Sequence, residues 1–600
     1  MFTPETVARL RDKVFALVGC TFAGEITAEA GEGLAVSLEN NKGRIRAADK
    51  TALARGFFLL ARALARGETR IDIAQQRRFA DCGAYLDMSR GGVMHVPALK
   101  RYIDAIAALG MNMLMLYTED TYTLPDYRYF GYLRGRYTKE ELIEADAYAA
   151  SMGVELVPSI QTLAHLGQFL QWQESDALKD TPTCLMIDDP DTYRFIAAEI
   201  RAVRACFRSK RVHIGMDEAH GVGLDRYFAR HGLVDRFALL NRHLGCVVEL
   251  CRANGFEPIM WSDMFFRLGS KTNEYYDMDA VIPQSVIDAM PDVALAYWDY
   301  YHEDEATYEF MLTEHERMGK PLVFAGGVWT WSGFLPHVRL TYATMLPALR
   351  ACARHHVPTV LATLWGDDGT ETNYFLALSQ LPIFSEFCWR GPDCTLEEIE
   401  ATGAFLTGLP AAAYRAFGDF YEGSQDLRTG KGLVYCDLLY PLLSEKSDLN
   451  ERIAAYENAR AALAPSLSRA DCQYADALFA LVAEKAKIIA QLRARYLAGD
   501  RDYLAEVART GIPGLIARYG LLGELHRAQW ESTFKRNGWE QFALRYGAVT
   551  GRLRDVQEAI ERYLAGELDT LCELDEAPLP SARKVGMQFY NVYVTPQFAL

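Results

Sequence analysis

The chain of 600 residues contains no run of about 18 apolar residues, so no membrane-spanning helix is expected. Basic residues are not in excess. With 63 Lys and Arg against 79 Asp and Glu, the formal charge is −16, which argues against a protein that grips nucleic-acid phosphates. The sequence has no C-x-x-C pair. Its twelve cysteines lie scattered from Cys20 to Cys572, a spread that reads as buried reduced thiols and suits a cytoplasmic location. The opening residues lack the basic stretch followed by an apolar run that a secretory signal requires, and read as an amphipathic helix. No Gly-rich phosphate turn follows the first β-rich run of the central region, which counts against a dinucleotide fold. Asp217-Glu218-Ala219-His220 spells a magnesium-holding helicase motif, but no Gly-x-x-x-x-Gly-Lys-Ser/Thr loop stands upstream of it.

What is present is length enough for about two to four domains. Residues 1–78 read as a small α/β domain, with a helix over 4–17, a strand pair near 33–38 and 44–47, and a helix over 50–66. From 79 to 390, short apolar β-rich runs alternate with amphipathic helical patterns. The runs are 79–88, 111–117, 154–160, 212–216, 258–264, 293–300, 322–328 and 360–365, and only the fifth has a weak, interrupted helical partner. Apolar strands alternating with helices imply a parallel sheet covered by helices. Eight such units in roughly 310 residues predict an α/β fold closed into a (β/α)8 TIM barrel, with an open doubly wound sheet as the alternative. Residues 391–600 read as a mainly helical domain, with long helices over 449–463 and 472–497, an interruption at Gly511, Pro513 and Gly514, and a last strand at 585–594.

In such a barrel the chemistry sits at the C-terminal strand ends and the loops after them. Those ends carry Asp87 and Arg90, then Glu119 and Asp120, then Gln161 with His165 close behind. The fourth ends His213-Ile214-Gly215-Met216-Asp217-Glu218. The rest carry Trp261 and Asp263, Trp298 and Tyr300, Trp329 and Trp331, and Trp365 with Asp367. Five of the nine tryptophans therefore gather at one face beside carboxylates and an arginine. A single tryptophan is ordinary packing. Five at successive strand ends point to a carbohydrate site, because sugars offer flat C–H faces to aromatic rings and hydroxyls to carboxylates.

The Asp217–Glu218 pair is the strongest catalytic candidate. Adjacent carboxylates disfavour double ionisation, so one of the two is expected to keep its proton toward neutral pH, as a general acid needs. A zinc site from His213, Asp217 and His220 fails on spacing, since His213 stands four strand positions from Asp217, about 13 Å in an extended chain. No metal or cofactor is expected.

These residues resemble glycoside hydrolase family 20, the β-N-acetylhexosaminidases, whose signature is His-x-Gly-Gly-Asp-Glu at the end of strand four. Met216 replaces the second glycine, a departure associated with an intracellular-type, exo-acting N-acetylglucosaminidase branch. The resemblance implies a retaining mechanism in which the substrate's 2-acetamido oxygen is the nucleophile, an exception to the two-carboxylate scheme. Glu218 would protonate the leaving oxygen and later activate water, while Asp217 would accept the acetamido N–H. Trp261, Trp298 and Trp365 match the family's pocket tryptophans, Arg90 its strand-one arginine on the 3- and 4-hydroxyls, and Asp367 the acidic residue on the outer hydroxyls, with Asp368 or Glu371 as alternatives. Asp120 and His165 match a pair that hydrogen-bonds toward the general acid.

The family's tyrosine after strand seven, which holds the acetamido oxygen, is missing, since that segment reads Trp329-Thr330-Trp331. Trp331 is expected to bind sugar. Tyr300, which alternation points the same way as Trp298, is the expected substitute, with Tyr301 behind it. The implied partner is an oligosaccharide or glycoconjugate ending in β-linked N-acetylglucosamine or N-acetylgalactosamine, with neither nucleic acid nor membrane. A glycosidase with a direct carboxylate nucleophile, or a sugar-binding protein without turnover, stands as the alternative. The aromatic segment 530–546 suits helix packing, with a substrate entrance or a homodimer contact as its other uses.

Overall fold

The computed structural model describes residues 2–423, 426–427, 429–441 and 448–577, so the strand expected at 585–594 lies outside the described residues. The first helix, Pro4–Leu17, is opened by Thr3, whose side chain accepts from the Thr6 N–H. Strands β1 (Glu25–Ala30), β2 (Leu34–Glu39), β3 (Lys42–Ala47) and β4 (Ile71–Gln75) form one sheet in the order β1-β3-β2-β4. The helix Lys50–Ala65 covers this sheet with Leu53, Phe57 and Leu60, and its Gly56 leaves room for Ile45. The sequence reading found β2 and β3 but not β1 and β4. Both missed strands are short sheet edges that do alternate, with Ile26 and Ala28 in one and Ile71 and Ile73 in the other turned toward the covered face, so the period-2 signal is present and the sequence reading missed it.

Eight further strands close a barrel: β5 (Asp81–Asp87), β6 (Met113–Tyr117), β7 (Glu155–Ser159), β8 (Arg211–His213), β9 (Glu257–Trp261), β10 (Ala294–Trp298), β11 (Leu322–Gly327) and β12 (Thr359–Leu364). Every neighbouring pair is parallel, and β12 returns to β5 with Thr359 opposite Asp81 and Leu364 opposite Leu86. Residues such as Leu114, Leu116, Phe324 and Leu361 are wholly buried, as strands enclosed on both faces require. The helix Lys139–Met152 begins and ends where its sequence predicts. Thr138 and Glu141 form a reciprocal capping box, and Gly153 closes the other end with a φ of 88°.

Three local expectations fail for physical reasons. The apolar run at 258–264 is a strand only to Trp261 and becomes the helix Asp263–Gly269, since a short apolar run does not by itself distinguish strand from buried helix. The helical pattern that follows the eighth apolar run, which the sequence predicts as one helix over 375–387, divides at Pro382 into a tight turn of helix, Tyr374–Gln380, and an α-helix, Pro382–Arg390. The interruption at Gly511–Gly514 is a widened turn, with the Ile512 N–H donating five residues back to the Val507 carbonyl. A π-turn absorbs the donor missing at Pro513, and the helix Ile512–Thr533 continues.

After the barrel, the helices Leu449–Leu463, Ala470–Leu497, Ile512–Thr533 and Glu540–Ala565 pack on one another. Trp530, Phe534 and Phe542 are buried, with ring centroids 4.9 and 5.5 Å from Trp530, and Phe534 meets Tyr374 of the barrel at 5.7 Å. The aromatic segment is therefore core at the junction with the barrel. No helix among the described residues is long and apolar enough to cross a membrane.

Candidate active site

β8 is the shortest barrel strand because its backbone leaves the ladder early. The Gly215 N–H donates to His213 Nδ1 at 3.1 Å, and Gly215 takes a φ of 69°. A Cβ on Gly215 would stand 2.0 Å from Gln161 Oε1, so any side chain there would push aside the amide that holds Asp217. Met216 and Glu218 also hold positive φ values of 72° and 49°. A left-handed residue at position 216 explains why glycine suits the family motif, and methionine adopts it at a cost of about 1–3 kcal/mol. The strained turn delivers Asp217 and Glu218 to the mouth of the barrel.

Asp217 is held from two sides. Gln161 Nε2 donates to its Oδ1 at 2.7 Å, and His165 Nε2 lies 3.1 Å from its Oδ2. The same His165 nitrogen lies 3.4 Å from Glu218 Oε2. Burial works to raise the Asp217 pKa, but the charge of His165 and the Gln161 bond outweigh it and bring it down to about 2. Glu218 is also opposed by burial and drawn below its usual range by His165. Burial would discharge His165, yet the Asp217 carboxylate holds its pKa well above the ordinary imidazole value. This corrects the expectation that Asp217 or Glu218 keeps a proton toward neutral pH. An imidazolium between them permits both to ionise.

The carboxyl group beside the pair whose pKa moves upward is Asp263. It is fully buried and raised well above the usual range by burial and by the Asp217 charge, and its Oδ2 accepts from the Glu218 N–H at 3.0 Å. His213 is buried, lowered to about 3 by desolvation, and therefore neutral. His220 instead meets the Tyr275 hydroxyl at 2.7 Å, so the two histidines do not converge with Asp217 on one point.

The cavity in front of the pair measures about 340 Å³ and is lined by Arg90, His165, Asp217, Glu218, Trp261, Trp298, Tyr300, Tyr301, Trp331, Trp365 and Asp367. The expected catalytic and sugar-binding residues thus share one cavity, Tyr301 beside Tyr300 among them, with Asp120 the exception. Trp365 and Trp261 meet at 6.2 Å between centroids, and Tyr300 stacks on Trp298 at 5.4 Å with planes 17° apart. Trp331 crosses Tyr300 edge to face at 5.1 Å. Burial keeps the Tyr300 hydroxyl protonated, so it is a donor at any ordinary pH. Arg90 pairs with Asp87 at 3.0 Å and with Glu119 at 3.3 Å while still facing the cavity.

Asp120 lies elsewhere than expected. Its Oδ1 accepts from Arg134 Nε at 2.8 Å, and Arg134 also reaches the Ser89 carbonyl, so the pair ties together the loops after β5 and β6. Glu119 faces the site instead, accepting from the Tyr117 hydroxyl at 2.9 Å, which in turn accepts from Gln161 at 2.9 Å. Strand alternation puts Glu119 on the side of Tyr117 and was the signal available for this chain of bonds. Nothing in the local sequence marked Gln161 as the partner of Asp217. Asp368 and Glu371, the alternatives to Asp367, are both taken up by Lys431 and Arg545.

A closed (β/α)8 barrel with an acidic pair, an arginine and four tryptophans around one cavity at its strand ends defines a carbohydrate-processing barrel. The family model for the glycosyl hydrolase family 20 catalytic domain matches residues 79–299, and that for the glycoside hydrolase 20C C-terminal domain matches 422–592. The chain belongs to glycoside hydrolase family 20.

It is similar to beta-hexosaminidase 3 of Arabidopsis thaliana, 26% identical over 220 residues, which span 34% of this chain and 40% of that protein. A beta-hexosaminidase of Vibrio furnissii is 27% identical over 154 residues, 22% of this chain and 23% of that protein. The chain thus matches less than half the length of either relative. Among solved structures, the Flavobacterium johnsoniae chitobiase aligns with a TM-score of 0.52 at 14% identity, covering 88% of this chain and 93% of that one. The Streptomyces plicatus N-acetyl-beta-hexosaminidase aligns with a TM-score of 0.50 at 20% identity, covering 67% and 89%. Both show a shared fold.

Proposed function

We propose that the chain is a retaining exo-β-N-acetylhexosaminidase that removes terminal β-linked N-acetylglucosamine, with the substrate's own acetamido oxygen as nucleophile. The observation that carries this reading is Asp217, clamped by Gln161 and His165 beside Glu218 at the wall of a tryptophan-lined cavity. A carboxylate so oriented accepts the acetamido N–H and stabilises the positive charge that develops when the acetamido oxygen attacks the anomeric carbon. Held in place by aromatic walls, the amide reacts as an internal nucleophile. The volume of about 340 Å³ sits at the small end of small-molecule sites and suits a single terminal sugar.

The site's proton stands on His165, 3.4 Å from Glu218. A bound sugar displaces water and disfavours the separated charges, which passes that proton to Glu218. Glu218 then gives it to the glycosidic oxygen as the C1–O bond breaks and the oxazolinium ring closes. In the second half Glu218 takes a proton from water, the water oxygen bonds to C1, and the ring opens with retention at C1. Tyr300 donates its hydroxyl to the acetamido oxygen, and Arg90 and Asp367 bind the outer hydroxyls. A cytoplasmic setting agrees with cysteines that are all free thiols, nine of them buried.

Turnover of a chromogenic N-acetylglucosaminide by wild type, Glu218→Gln and Asp217→Asn tests the proposal. Both variants are expected to lose activity by at least about a hundredfold. Equal turnover by all three proteins would overturn the assignment.

A further inference from the structure

Lys431 and Arg545 belong to the region after the barrel, yet both side chains end on the loop that follows β12. Lys431 is fully buried, with Nζ 2.7 Å from Asp368 Oδ2 and 2.8 Å from Glu371 Oε2. Arg545 reaches the same two carboxylates at 2.7 and 3.3 Å, and also donates to the Asp368 carbonyl at 2.7 Å. The Tyr435 hydroxyl donates to Glu371 at 2.7 Å. Buried ion pairs add little net stability over apolar packing, so four charges gathered at this spot call for another explanation. The loop they fix runs directly from Trp365 and Asp367, which line the cavity.

The same region also reaches the loop that carries Arg90. A Cβ on Gly91 would stand 2.6 Å from Gln541 Nε2, and one on Gly369 would stand 2.8 Å from Gln541 Oε1. Gln541 therefore fills the seam between the two loops. Thr370 Oγ1 crosses that seam, donating to the Arg90 carbonyl at 3.2 Å and accepting from the Gly92 N–H at 3.3 Å. Asp367 and Arg90 face one cavity and are close enough for the charge of Asp367 to favour the charged guanidinium.

We propose that Lys431 and Arg545 are positioning residues: by gripping Asp368 and Glu371 they set Asp367 opposite Arg90, and so fix how tightly the cavity holds the outer hydroxyls of its sugar. The helical region is then part of the specificity apparatus, acting without touching substrate. This rests on the hexosaminidase reading above.

The test is steady-state kinetics of the full chain as wild type, Lys431→Met, Arg545→Met and Arg545→Lys. Chromogenic β-N-acetylglucosaminide and its 4-epimer, the galactosaminide, serve as substrates, with Tm recorded for each protein. Lys431→Met and Arg545→Met are expected to raise KM for the glucosaminide about tenfold with kcat changed less than about threefold, to compress the kcat/KM ratio between epimers, and to be largely rescued in Arg545→Lys. Simple loss of folded protein lowers apparent kcat and leaves both KM and the epimer ratio alone. Unchanged KM and epimer ratio in folded variants would overturn the proposal.

Should Lys431→Met not fold, the double variant Lys431→Met/Asp368→Leu removes a cation and an anion together, and the same shift in KM and epimer ratio is required of it. If wild type turns over neither substrate, the hexosaminidase reading fails. Quenching of tryptophan fluorescence by N-acetylglucosamine then decides the positioning separately: binding about tenfold weaker in Arg545→Met than in wild type supports it, and equal or absent binding overturns it.

Discussion

Replacing His165 by glutamine removes the cation that stands between Asp217 and Glu218 at 3.1 and 3.4 Å. The effect on Asp217 sets the scale. Its pKa falls from the ordinary 3.8 to about 2 against the opposing effect of burial. At about 1.36 kcal/mol per pH unit, that difference amounts to about 2 kcal/mol of stability. A carboxyl depressed in the folded state contributes fully above its unfolded pKa, and the contribution disappears as pH falls through about 2. His165 is raised, so its share is complete below the unfolded imidazole pKa of 6.5 and is lost as pH climbs through the raised value. Both shares describe one contact and are not added.

Urea unfolding should therefore show His165→Gln less stable by about 2 kcal/mol or more between about pH 4.5 and 6.5, with the gap closing toward about pH 2 and again in alkali. In kinetics, the acid limb of kcat/KM, set by ionisation of Asp217, should move from near pH 2 in wild type to about pH 4 or above in the variant. A stability gap independent of pH, or an acid limb that stays where it was, would refute the reasoning.

Tyr300→Phe removes the hydroxyl assigned to the acetamido oxygen and should lower kcat/KM about ten- to a hundredfold, with Tyr301→Phe changing it less than about threefold. Kinetics of the two variants check this, and the opposite ranking transfers the role to Tyr301. Arg55→Met strips the buried Glu386 of the nearer of its two cations, at 3.0 Å against 3.7 Å for Arg390, together with the bonds from Arg55 to Gln75 and to the Leu109 carbonyl. It should cost about 3–5 kcal/mol in denaturant melts while leaving KM unchanged, and an unaltered melt contradicts it.

The barrel was legible because its strands are buried on both faces and its helices carry local start and stop signals, as at Thr138 and Gly153. The edge strands β1 and β4 carry the period-2 alternation over only five or six residues with few large apolar side chains, which is why the sequence reading missed them. At the site, residue types at strand ends identified the walls and the acidic pair. Two matters remained outside the reach of sequence. The first is the partner that orients Asp217: Gln161, from the end of a neighbouring strand, donates to it at 2.7 Å, and no local pattern marks that pairing. The second is the protonation state of the pair, which depends on His165 arriving from a different loop. The assignment of Asp367 over Asp368 and Glu371 likewise needed cations more than sixty residues away in sequence, at Lys431 and Arg545.

The central claim is that the sugar's amide, and no side chain, attacks the anomeric carbon. It is tested most directly by measuring kcat/KM on paired aryl β-glycosides that differ only at C2, one bearing acetamido and the other hydroxyl. An internal nucleophile with a large effective molarity predicts that the hydroxyl substrate is slower by at least about a thousandfold. Comparable rates on the two would contradict the account.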